Sequence, residues 1–133
     1  MLSRSGSFGL AVAIALLSNA TLPLSVLAQI TPDNTLGDEN STVTLDAIVR
    51  GDLADLIEGG AIRESNLFHS FLEFNVDEGQ RVYFANPDGI ESILSRVTGD
   101  NRSNIFGALG VDGAADLFLL NPNGIVFGEN ASL

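Results

Sequence analysis

The sequence predicts an all-β fold of solenoid type, built from stacked strand–turn–strand units. Three observations carry this. Leu117 to Gly128, LFLLNPNGIVFG, sets two apolar runs on either side of the tetrapeptide Asn121-Pro122-Asn123-Gly124. An earlier stretch, Val82 to Ile90, repeats that pattern at an offset of 35 residues, with Asn86, Pro87, Asp88 and Gly89 in the turn and Ile90 standing where Ile125 stands later. Elsewhere, apolar and polar residues alternate with the period of a half-buried strand. A strand–turn–strand unit that recurs points to coils that reuse one corner.

The turn residues are chosen by backbone chemistry. Pro122 presets φ for the second position of a type I or II turn. Asn121 can bond back to the backbone ahead of it, and Asn123 tolerates the bend. Gly124 accepts positive φ. Four apolar residues in a row, Leu117 to Leu120, predict a strand buried on both faces.

Met1 to Ala28 has the form of a secretory signal peptide. Arg4 gives the positive end and Phe8 to Leu17 the apolar stretch. Val26-Leu27-Ala28 offers a cleavage site before Gln29. The apolar run stops at Ser18-Asn19, too short to span a bilayer comfortably. Gln29 to Asn40 is turn-rich and predicts a loop with a short strand at most. In Ser41 to Arg50, Val43, Leu45, Ala47 and Val49 share one face, which predicts a half-buried strand. In Gly51 to Glu64, Leu53, Leu56 and Ile57 have helical spacing but Gly59-Gly60 ends the run, so a short helical turn or a loop is expected. Leu67 to Val76 alternates again, placing Phe68, Leu72, Phe74 and Val76 on one side with Ser70. A turn at Asp77 to Gln80 leads to a strand at Arg81 to Ala85. Ile90, Ile93, Leu94 and Val97 fit a helical stripe, yet two turns of helix between Gly89 and Gly99 do not hold without tertiary support. Ile105, Gly107, Leu109 and Val111 alternate, and Gly107 and Gly110 suggest close packing or a corner. The chain stops at Leu133, directly after a strand and without a polar cap, so a fragment or a truncated frame is expected.

The 133 residues suffice for a single domain. Hydrophobic content of 45% excludes a disordered acidic tail. From Gln29 onward, 17 acids face 5 Arg and no Lys, a net charge of −12. That balance argues against nucleic acid, whose phosphates it would repel. Cysteine is absent, which removes the disulfide scaffold as a source of stability for an exported chain.

Candidate chemistry is sparse. Asp52, Asp55, Asp77 and Glu78 sit beside turn glycines, where acids serve the backbone. No paired-carboxylate pattern of a β-helical lyase or hydrolase is present. His69 is the single His, so the common metal cages are excluded; flanked by Phe68 and Phe71, it reads as a packed or surface strand residue. No catalytic residue, metal site or cofactor is expected.

NPNGI at Asn121 to Ile125 resembles a signature motif of the two-partner-secretion domain. That domain is the N-terminal region of filamentous haemagglutinin-like exoproteins of Gram-negative bacteria. SNLFHSFLEFNV (Ser65 to Val76), ILSRVTG (Ile93 to Gly99) and LGVDGAADLFLLNPNGIVFGENASL (Leu109 to Leu133) agree, in a style similar to cyanobacterial members. The family's other signature, often NPNL, is matched by NPDG, with Asp88 and Gly89 as departures. The resemblance covers 29–133, the expected domain after the leader at 1–28. It implies a right-handed parallel β-helix, pectin-lyase-like, with a few antiparallel hairpins, and therefore β structure at Ile90 to Val97. It also implies recognition by the periplasmic POTRA domains of a TpsB-class outer-membrane transporter, after delivery by the Sec machinery, and release outside the cell. Asn86 to Gly89 and Asn121 to Ile125 would be the secretion motifs. Other readings are a structural adhesin module that meets a target cell or glycan, and a carbohydrate-active β-helix enzyme.

Overall fold

The structure, a computed structural model, describes residues 29–133. The expected leader and the Ala28 side of the cleavage site lie outside them. Among the described residues the fold is all-β. Strands are β1 (Ile30–Pro32), β2 (Ser41–Val49), β3 (Asp52–Gly59), β4 (Ala61–Arg63), β5 (Asn66–Phe74) and β6 (Arg81–Ala85). They continue as β7 (Ser92–Val97), β8 (Ser103–Ile105), β9 (Ala108–Asp112), β10 (Asp116–Leu120) and β11 (Ile125–Phe127). A short 3-10 turn, Gly37–Glu39, precedes β2.

Three ladders organise the chain. The first has the order β9-β6-β3-β2, the second β10-β7-β5-β1 with β4 also on β5, and the third pairs β11 with β8. The pairs β3–β6–β9, β5–β7–β10 and β8–β11 are parallel; β2–β3, β1–β5 and β4–β5 are antiparallel. The chain visits the three ladders in the same order each time: β3 then β5 then Val76, which bridges to Ile105; β6, β7, β8; and β9, β10, β11. Each such circuit is called a coil here.

Identical faces stack on successive coils. Ile57, Phe84 and Val111 stand in register, as do Leu67, Ile93 and Leu117. Ile57, Phe84, Leu67 and Ile93 form the buried core with Phe71, Phe74, Val76, Val82 and Ile105, and Val111 and Leu117 pack against it. Phe71, Phe74 and Phe84 meet edge-on or stacked, at centroid separations of 5.1 to 6.4 Å. Gly107 is fixed by proximity: a Cβ there would strike the carbonyl oxygens of Asp77 and Gln80.

Several expectations are corrected. Gly51 to Glu64 is neither helix nor loop but β3 and β4; pairing to β2, β6 and β5 overrides its weak helical spacing. Ile90 to Val97, by contrast, holds the β structure that the resemblance implies: it forms β7 from Ser92, since parallel neighbours on both sides supply its hydrogen bonds. In β2, Leu45 is 60% exposed rather than sharing the inner face, because the register slips between Thr44 and Ala47 where Asp46 takes φ +57°. In β5 the buried residues are Leu67, His69 and Phe71, then Phe74; Phe68 and Leu72 face outward. The pairing with β1 slips there, and the extra residue shifts the phase. Ser70 is nonetheless buried, because the segment after β1 covers it.

Leu117 to Leu120 is not buried on both faces. Leu117 and Leu119 pack against the core, while Phe118 and Leu120 are about half exposed at 49% and 52%. The strand lies at the edge of its ladder, and Phe118 continues the outward-facing rung of Phe68 and Leu94. The 35-residue repeat is also not the coil period. Val82 pairs with Leu109 and Leu117 with Ile93, so the two Asn-Pro turns do not stack. One joins the first ladder to the second, the other the second to the third.

Candidate functional site

The two Asn-Pro turns look alike in sequence and fold differently. In the later one the Gly124 N–H donates to the Asn121 carbonyl at 3.0 Å, so the turn is the tetrapeptide itself. The Asn121 Oδ1 accepts the Asn123 N–H at 2.9 Å, the local bond that asparagine offers a turn. In the earlier one the Ile90 N–H donates to the Pro87 carbonyl at 3.2 Å, which moves the bend forward by one residue. Gly89 then sits third in the turn with φ +82°, a position that glycine fills without strain.

Both turns use their asparagine amides to bind the neighbouring coil. Asn121 Nδ2 donates to the Asn101 carbonyl and to Ser103 Oγ, each at 3.0 Å, and Asn123 Nδ2 donates to the Gly99 carbonyl at 2.7 Å. Asn101, Ser103 and Gly99 belong to the equivalent corner of the preceding coil. The Asn86 Oδ1 accepts the Ala115 N–H of the following coil at 2.8 Å, while its Nδ2 donates to the Pro87 and Ile90 carbonyls. Asp88 is exposed and makes no side-chain hydrogen bond to another described residue, so the family's second asparagine has no counterpart in this role. Pro122 is exposed at the corner, and Ile125 starts β11 and packs against the core edge. Gln29, at the expected cleavage site, holds the first coil: its carbonyl accepts the Asn75 N–H at 2.8 Å.

A fourth asparagine does the same work and was not singled out by sequence. Asn75 lies at the corner between the second and third ladders in the first coil, and its Oδ1 accepts the Asn104 N–H of the second coil at 2.9 Å. Without Pro or Gly beside it, Asn75 shows no turn signature. The signal that could have found it is its place at the end of an alternating run.

Two further polar clusters tie the N-terminal segment to the coils. Asp33 receives hydrogen bonds from Ser70 Oγ and Thr98 Oγ1, both at 2.6 Å, and from Thr35. Partial burial works against its charge, but these bonds outweigh it and hold the carboxyl well below the usual carboxylate range. Arg96 reaches the same cluster through Ser70 and Thr35. On the inner face, His69 Nδ1 meets Ser41 Oγ at 2.8 Å, packed by Phe71 and Phe84. Burial pushes the imidazole down to about 4, so it is neutral near pH 7. His69 is thus a packed interior residue. Chemically, these are amide, hydroxyl and carboxylate groups committed to backbone and neighbour; among the described residues no three His or acidic side chains gather as metal ligands.

The family model described as the TPS secretion domain matches residues 28–133. The chain belongs to the TPS secretion domain family. It carries the secretion domain of a two-partner-secretion exoprotein, and the family is one of secreted exoproteins. A curated relative, the heme/hemopexin-binding protein of Haemophilus influenzae, is 35% identical over 60 residues, which are 45% of this chain and 6% of that protein. The match thus spans a small fraction of that relative's length. No solved structure matches the chain.

Proposed function

We propose that this TPS domain is the segment by which its exoprotein is recognised for export, and that its Asn-Pro corners act by closing one coil onto the next. The coils would wind as a right-handed parallel β-helix, the hand that parallel crossovers favour. A signal peptide ending at Ala28 would deliver the chain through the Sec machinery. The POTRA domains of a TpsB-class outer-membrane barrel would then bind it while unfolded or partly folded, when its strand-forming segments can add to a receptor's sheet edge. Outside, the coils fold and cannot slip back, and the domain seeds the β structure that follows. Its destination is the extracellular space or the cell surface. The target of the exoprotein, and any adhesive or ligand-binding activity, would lie with the rest of that protein.

The observation that carries this reading is the use of the motif amides. Asn86, Asn121 and Asn123 each make a side-chain hydrogen bond across coils. A motif needed for secretion is then a motif needed for stacking. The test is export of a secreted chain carrying Asn121→Ile beside its transporter. The variant is expected to accumulate in the periplasm. Unimpaired appearance in the medium would remove any role of Asn121 in export.

A further inference from the structure

Beside the corner stack lies a groove of about 710 Å³, walled by Glu73 and Asp77 from the first coil and by Asp100, Arg102, Asn104 and Phe106 from the second. We propose that this groove is a saccharide site that takes a short uncharged oligosaccharide.

The lining has unspent hydrogen-bonding capacity of mixed kind. Among the described residues, the side chains of Asp100, Arg102 and Asn104 make no hydrogen bond or ion pair. Glu73 engages only one carboxylate oxygen, with Asn101 at 2.8 Å, and Asp77 only one with the side chain of Gln29 at 2.8 Å. Carboxylates accept, a guanidinium donates and an amide does both; a sugar hydroxyl is itself donor and acceptor. Phe106 is 37% exposed at the groove and offers a flat apolar ring for the C–H face of a pyranose.

Other ligand classes fit less well. The lining is too polar for a lipid or an apolar cofactor. Three carboxylates against one Arg, in a domain of net charge −12, repel nucleic acid and anionic glycans. The volume falls in the range of small-molecule sites, roughly 300–1,000 Å³. The walls are held before any ligand arrives: Asn101 binds Glu73, Asn75 accepts from Asn104, and Asn123 binds Gly99. Such preorganisation reduces the ordering loss on binding. Asp100, Arg102 and Phe106 contribute no side-chain hydrogen bond to the corners, so this site is independent of the export reading.

The test titrates the full chain with a panel of neutral trisaccharides built from glucose, galactose, mannose and N-acetylglucosamine, with trigalacturonate as the anionic counterpart. Binding is read by calorimetry and by amide chemical shifts. At least one neutral sugar should saturate and shift residues 73–77 and 100–106, with trigalacturonate about tenfold weaker or worse. Asp100→Asn and Arg102→Ala, both on an exposed loop, should each weaken binding about tenfold, the loss of one charged hydrogen bond, with melting temperature unchanged. Silence across the neutral panel, equal binding of trigalacturonate, or unchanged affinity in both variants overturns the proposal.

Discussion

Acidification should weaken this domain through His69. The ring is 2% exposed, its Nδ1 is held by Ser41 Oγ, and its Nε2 has no hydrogen-bond partner among the described residues. Burial lowers its folded pKa from 6.5 to about 4. In the unfolded chain the imidazole takes a proton near pH 6.5; in the native one it does so only near pH 4. Between those values the unfolded state binds more protons, so stability falls as pH falls. Well above pH 6.5 the ring is neutral in both states and contributes no slope. The full loss across that window is about 3 kcal/mol. For a domain of this size that is a urea midpoint lower by roughly 2 M at pH 4 than at pH 7. Self-repulsion of the acidic surface relaxes over the same window and works the other way. The assay therefore compares urea unfolding of the native chain with His69→Leu at both pH values. The variant gives up the Ser41 hydrogen bond, about 1 kcal/mol at pH 7, but has no ring to titrate. The native chain should lose about 3 kcal/mol more than the variant between pH 7 and pH 4. Equal losses in the two proteins would refute a buried neutral His69.

Other perturbations separate the parts of the fold. Asn121→Ala removes the bonds to Asn101 and Ser103 and the two from Asn123, and should cost about 2 kcal/mol in thermal unfolding; Asn123→Asp, which loses the amide donor to Gly99 and to the Asn121 Oδ1, should cost about 1 kcal/mol. Gly107→Ala sets a methyl against two backbone carbonyls and should cost more than about 3 kcal/mol or prevent folding, whereas Gly124→Ala meets open space and bears only the strain of φ +109°, about 1 kcal/mol; melting temperatures of the pair decide. Asp33→Asn should loosen the N-terminal segment by about 1 kcal/mol at pH 7, discounted for its solvent contact, and raise hydrogen exchange at residues 29–40. Because the Asp33 carboxyl is held below its ordinary range, its contribution stands above that range and is lost as pH falls through and below it, under the window of His69.

The strands and their bends were legible in the chain. Period-2 alternation marks β2 and β5, the turn at Asp77 to Gln80 leads into β6, and Pro122-Asn123-Gly124 and Pro87-Asp88-Gly89 announce turns by backbone preference alone, since φ restrictions act locally. The secretion-domain family was likewise legible in NPNGI and the segments around it. Which face turns inward was not. Phe68 and Leu67 are both apolar, and only the stacking of Leu67 on Ile93 and Leu117, with a phase slip before Phe74, put Phe68 outside. The repeat Val82–Ile90 and Leu117–Ile125 suggested one corner reused; pairing placed its two copies at different corners, because a turn encodes a bend and not the ladder that receives it. Gly51 to Glu64 became strand only because β2, β6 and β5 supplied partners for its backbone. Asn75 and the Ser41–His69 contact were invisible for the same reason: their partners lie 29 and 28 residues away, and a hydrogen bond across coils exists only once the coils stack.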